Sequence, residues 1–119
     1  MPTVADYDIV SDGSVTIGSP NNDHDFPLGF DHDINLGVRS VLSYMIDPGP
    51  LATVYTLAIV NSDGTTALGT FASSPAGPHA RQEVIDANVF KKTGNILRIQ
   101  VTVGSAKFSD IVLMHQSNV

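Results

Sequence analysis

From Ile96 to Val103 the chain alternates strictly, with Leu97, Ile99, Val101 and Val103 apolar and Arg98, Gln100 and Thr102 polar between them. A period of two sends one set of side chains to a core and the other to water, which is the mark of a half-buried strand. Helical spacing is nearly absent elsewhere, while β-branched residues, Gly and Pro recur at short intervals, so the chain is constrained to many short strands joined by turns. Only Glu83–Phe90 leaves room for a helical turn or two.

The remaining strands are read from the same signals. Gly104-Ser105 fits a two-residue type II′ turn, and the following run, Lys107–His115, is expected to pair back antiparallel on Ile96–Val103. Two longer apolar runs, Val38–Ile46 and Ala52–Val60, flank Asp47-Pro48-Gly49-Pro50, whose prolines cannot donate to a ladder and enforce a turn. These read as central strands, covered by a second sheet on one side and by loops or a partner subunit on the other. Tyr44 and Tyr55, inside them, read as core or interface aromatics. A turn at Ser62-Asp63-Gly64 leads into Thr66–Phe71 and then a breaker-rich loop, Ser73–Pro78; Ser14–Ile17 is a short strand after Asp12-Gly13. The result is an all-β chain of about eight strands, an antiparallel β-sandwich of jelly-roll type, expected to form one domain over residues 1–119.

Charge narrows the function. Twelve acids face six Lys and Arg, for a formal charge of −6, and clustered basic residues of the kind that bind nucleic acid are missing. The acidity is uneven: residues 1–47 hold eight acids and one base, Arg39, for a net −7. There is no cysteine, which removes disulfides, thiolate metal sites and a Cys nucleophile. No apolar run is long enough to span a bilayer, and Met1–Asp6 carries no charged n-region or apolar h-region. A soluble chain is expected, with a secreted or cell-surface setting favoured over others.

Within the acidic third, Asp23-His24-Asp25-Phe26-Pro27-Leu28-Gly29-Phe30 is followed directly by Asp31-His32-Asp33-Ile34-Asn35-Leu36-Gly37-Val38, identical at five of eight positions. Asp23, Asp25, Asp31 and Asp33 are the candidate metal ligands, since carboxylates with loop carbonyls suit Ca²⁺ and added imidazole suits a transition metal. If the segment is a loop the four converge; if it is extended, residues eight apart lie roughly 26 Å from one another. A solvated acidic loop, in which Asp and Asn fix turns by local hydrogen bonds, explains the same residues.

Three further residues are candidate ligand contacts: His79 in the Gly/Pro loop, Arg81 beside it as a polar contact for a hydroxylated ligand, and Tyr7 as a free aromatic. Catalysis finds no support. The chain has no Gly-x-Ser-x-Gly elbow, no phosphate loop and no dinucleotide fingerprint, and its acids show no sign of flanking a cleft. A non-enzyme is expected.

From Asn88 to Val101 the sequence Asn-Val-Phe-Lys-Lys-Thr-Gly-Asn-Ile-Leu-Arg-Ile-Gln-Val resembles the stretch of galactose-binding-like jelly rolls and carbohydrate-binding modules in which Gly-Asn precedes an alternating strand. Ser109–Leu113 looks like their last core strand. The resemblance implies a sandwich that binds a sugar or cell-surface ligand through end loops or a strand face, often with a structural Ca²⁺. Two functions are carried forward: a lectin-like, non-catalytic module for a carbohydrate or surface ligand, and a self-associating homo-oligomer that packs through its apolar central strands.

Overall fold

A computed structural model describes residues 3–18, 22–30, 33–74 and 77–118. Eight strands follow in chain order: β1 (Thr3–Gly18), β2 (Asn22–Leu28), β3 (Ser40–Pro48), β4 (Thr53–Asn61), β5 (Gly64–Ser73), β6 (His79–Ile85), β7 (Asn95–Val103) and β8 (Ser105–Asn118). They form two four-stranded antiparallel sheets, ordered β1-β8-β3-β6 and β2-β7-β4-β5. Strands adjacent in sequence lie mostly in different sheets, and this interleaving is the jelly roll.

The core lies between the sheets and follows from alternation. Leu42, Tyr44 and Ile46 of β3, and Phe108, Ile111 and Leu113 of β8, meet Tyr55, Leu57 and Ile59 of β4 and Leu97, Ile99 and Val101 of β7, all buried. The turn before β7 is closed by Asn95: its Oδ1 accepts from the Lys91 amide at 2.9 Å and its Nδ2 donates to the Lys91 carbonyl at 2.8 Å. Gly94 supplies the positive φ of 75° that this turn requires.

Two expectations are corrected, and one open possibility is closed. First, β8 does not pair back on β7. β7 pairs with β2 and β4, whereas β8 pairs with β1 and β3, so Gly104 turns a corner from one sheet to the other. Gly104 has φ 75°, and a Cβ there would stand 2.5 Å from the Ala52 carbonyl oxygen, so the corner is closed against the β3–β4 connection, itself a sheet-to-sheet crossing. Second, Asp12-Gly13 is no turn: β1 runs through it, absorbing the extra residues as bulges between Ile9 and Ser14. Third, Glu83–Phe90 makes no helix. Glu83–Ile85 ends β6, and no helix occurs among the described residues.

Candidate functional site

Both sheets end on the same side, in β6 and β5, and the slot between these edge strands opens to solvent. His79, Arg81 and Glu83 of β6 turn inward, and Ala80, Gln82 and Val84 turn outward. An edge strand with a polar inner row leaves the slot lined by hydrogen-bonding groups instead of sealed by core. A cleft forms there from Ala72, Ser73, Ser74, His79 and Arg81.

The groups around it are held in order. His79 Nδ1 lies 2.9 Å from the Gly77 carbonyl, which can only accept, so the proton sits on Nδ1. In the neutral ring Nε2 then accepts from the Ser73 hydroxyl, 3.2 Å away. Arg81 stacks over the Phe71 ring, its guanidinium carbon 5.1 Å from the centroid, with Nε 3.5 Å from a Glu83 carboxylate oxygen. That oxygen also accepts from the Tyr44 hydroxyl at 2.6 Å, and Tyr44 and Tyr55 hydroxyls are 2.7 Å apart. A carboxylate can only accept, so the chain of donors runs from Tyr55 to Tyr44 to Glu83. Burial first, then donation to Glu83 and the Tyr55 contact, hold the Tyr44 hydroxyl far above the ordinary tyrosine range. Burial also raises Tyr55, partly offset by its bond to Tyr44.

This arrangement presents a guanidinium, an imidazole and hydroxyls at the rim of one slot, braced from behind by a buried phenol pair. Ser73 beside His79 has the look of a nucleophile and base, but Ser73 is only 4% exposed and the ring is oriented by a carbonyl instead of a carboxylate.

Of the candidate ligand contacts, the structure brings His79 and Arg81 together and leaves Tyr7 apart. Tyr7 is 63% exposed on β1, at the opposite edge of its sheet from β6. Tyr44 and Tyr55 are core residues, not interface ones. Glu83, Phe71 and Ser73 were missed by sequence reasoning. The signal for Glu83 was there, in the period-two spacing of His79, Arg81 and Glu83, but its polarity is inverted relative to a usual strand.

The four candidate metal ligands are not drawn into one set. Asp23 and Asp25 lie on the outer face of β2, opposite Gln100 and Arg98. Asp25 takes a two-pronged bond from Arg98, at 2.8 and 3.0 Å, and this bond first and the guanidinium charge second hold its carboxyl below the usual range. Asp33 accepts from Lys92 and, at 3.1 Å, from the Asn118 side chain, which likewise lower it. Asp31 lies outside the described residues. Among the described residues no three His, Asp or Glu side chains gather as a metal set.

No family model matches the sequence, and no curated protein matches it. Solved structures do match in fold. A Clostridium thermocellum endo-1,4-β-D-xylanase structure with a CBM22-1 carbohydrate-binding module and a GH10 module, complexed with xylohexaose, is similar at TM-score 0.63 and 16% identity, over 95% of this chain and 24% of that one. The C-terminal CBM6 of a Zobellia galactanivorans laminarinase gives 0.59 at 8% identity, over 94% of this chain and 99% of that one. The Eiger TNF of S. frugiperda gives 0.54 at 17% identity, over 100% and 96%. The chain therefore has the jelly-roll fold of carbohydrate-binding modules, and it spans about a quarter of the xylanase chain it matches. A TNF with the same fold means that the architecture alone assigns no ligand.

Proposed function

We propose that the protein is a non-catalytic carbohydrate-binding module whose ligand hydroxyls are held at the β5–β6 cleft. The observation that carries this reading is the convergence of Arg81, His79 and Ser74 on one open slot, with Arg81 pre-set over Phe71. A guanidinium braced by an aromatic ring and a carboxylate loses little further entropy on binding, which favours hydrogen bonds to vicinal hydroxyls. Modules of similar fold occur with xylohexaose and as a xylan-binding domain, which supports a plant-type polysaccharide as the first ligand to try. Such a ligand is met outside the cell or at its surface.

The test is calorimetric titration with xylohexaose and xylan beside a glycan array. Ser74→Ala, at an exposed position, and Arg81→Ala are each expected to weaken per-site affinity, the latter about tenfold or more, as loss of one charged hydrogen bond requires. Tyr7→Ala is expected to leave per-site affinity unchanged. A blank array, or binding lost with Tyr7→Ala and kept in both cleft variants, overturns the proposal.

A further inference from the structure

The cleft between β5 and β6 has a distribution of charge that narrows its ligand. Residues 64–82, which supply the whole of β5 and the start of β6, contain no Asp or Glu, and Arg81 is their only Lys or Arg. In a chain of net charge −6 this is a wall free of acids with one cation in it. The first carboxylate along β6 is Glu83, and it stands behind the slot: its side chain is 12% exposed against 29% for Arg81. One of its oxygens already accepts from Tyr44, and the same oxygen meets Arg81 at Nε, 3.5 Å away. The terminal nitrogens of the guanidinium, Nη1 and Nη2, have no hydrogen-bond acceptor among the described residues. Arg81 lines the cleft, so this free fork is open to a ligand.

The fork is also held in place. Arg81 lies over the Phe71 ring, and that ring is in turn laid against Gly69, two residues before it on β5: a Cβ at Gly69 would stand 2.9 Å from Cζ of Phe71. Gly69 has φ 151°, a conformation that suits a residue without a side chain. From β4 the Tyr55 ring backs Phe71 at 5.6 Å between centroids. A planar guanidinium on a fixed ring offers two parallel N–H donors. A carboxylate fills both at once with its two oxygens, in charge-assisted bonds, whereas sugar hydroxyls fill them with weaker neutral ones. Ser74 and His79 stand beside the fork for the hydroxyls of the same sugar.

Resting on the carbohydrate reading of this cleft, we infer that its ligand is an acidic saccharide, one carrying a uronic-acid carboxylate that pairs two-pronged with Arg81. The test holds the sugar constant and changes its charge. A xylo-oligosaccharide with a glucuronic acid branch, the same compound with that carboxyl converted to its methyl ester, and xylohexaose are titrated calorimetrically into the full chain. The acid form is expected to bind about tenfold tighter than its ester, the margin of a charge-assisted pair over neutral hydrogen bonds, and the ester about as well as xylohexaose. The margin is expected to shrink in about 1 M salt, which screens the pair. Arg81→Gln, which keeps donors and loses the charge, is expected to bring acid and ester to equal affinity. Glu83→Gln keeps an acceptor for Tyr44 and removes the negative charge beside the fork, so it is expected to widen the margin. Acid and ester binding equally to the native chain, or a margin that persists in Arg81→Gln or narrows in Glu83→Gln, overturns the inference while the cleft remains a site for neutral sugar. Failure of all three ligands to bind overturns the carbohydrate reading and the inference together.

Discussion

The buried phenol pair behind the cleft has a direction, and that direction is measurable. Tyr44 donates to Glu83 at 2.6 Å and accepts from Tyr55 at 2.7 Å, so Tyr44 carries two bonds and Tyr55 one. Tyr44→Phe removes a bond to a carboxylate, worth about 1.5–3 kcal/mol, and strands the Tyr55 hydroxyl, worth about 1 kcal/mol more. Tyr55→Phe removes only the neutral bond and leaves Tyr44 donating to Glu83, for about 1 kcal/mol. At about 4 °C per kcal/mol for a chain of this size, the two variants are expected to melt about 12 °C and about 4 °C below the native protein. Calorimetry or far-ultraviolet circular dichroism reads both. The double variant is expected to lie close to Tyr44→Phe alone, since it removes the hydroxyl that the single change strands, and contacting groups are not additive. Tyr55→Phe costing as much as Tyr44→Phe, or two costs that simply add, would refute the donor order and with it the bracing of Glu83 and Arg81.

Two more outcomes follow from the same groups and from the acidic segment. Both phenols are raised above their usual 10.0 in the fold, so the folded chain keeps protons that the unfolded chain releases; the stability they contribute is intact below pH 10 and falls as pH rises above it, and denaturant titrations from pH 8 to 11 should show a shallower decline for Tyr44→Phe. Asp25 and Asp33 already hold Arg98 and Lys92, which a cation would have to displace, so melting temperatures in millimolar Ca²⁺ and in chelator are expected to coincide; a rise with Ca²⁺ that disappears in Asp33→Asn would place a cation in the repeated segment after all.

What could be read from the chain depended on whether local chemistry decides the outcome. The strand at β7 was legible because alternation of Leu97, Ile99 and Val101 with Arg98 and Gln100 is a local property, and so was the Gly94-Asn95 turn that starts it. The β4–β5 turn was legible for the same reason, with Asn61 Oδ1 accepting from the Asp63 amide at 3.0 Å. The corner at Gly104 was not, because a glycine with positive φ says only that the chain reverses. Which strand it then joins depends on which sheet has an open place. The doubled Asp-His-Asp was visible as a pattern, yet its first copy lies in β2 while Asp33 lies outside any strand, held by Lys92 and Asn118. The first copy pairs along its length with β7, Arg98 opposite Asp25, whereas the described part of the second touches β8 only through the Ile34–Ser117 bridge and the backbone bonds beside it.

The site was half legible for a reason that also bears on its function. His79 and Arg81 stood out as polar residues near a loop, but β6 escaped notice because its inner row is charged and its outer row is Ala80, Gln82 and Val84. Inward-pointing charge on an edge strand is one way a sandwich discourages a further strand from adding to its rim. The residues proposed to hold a sugar therefore have a second duty that would keep them polar with no ligand at all. The two duties separate in Ser74→Ala, since Ser74 lines the cleft but lies beyond β5 and contributes nothing to the charge of the β6 edge. Affinity lost there with no gain in aggregation is ligand binding; affinity unchanged there, with aggregation raised in Arg81→Ala, is edge protection alone.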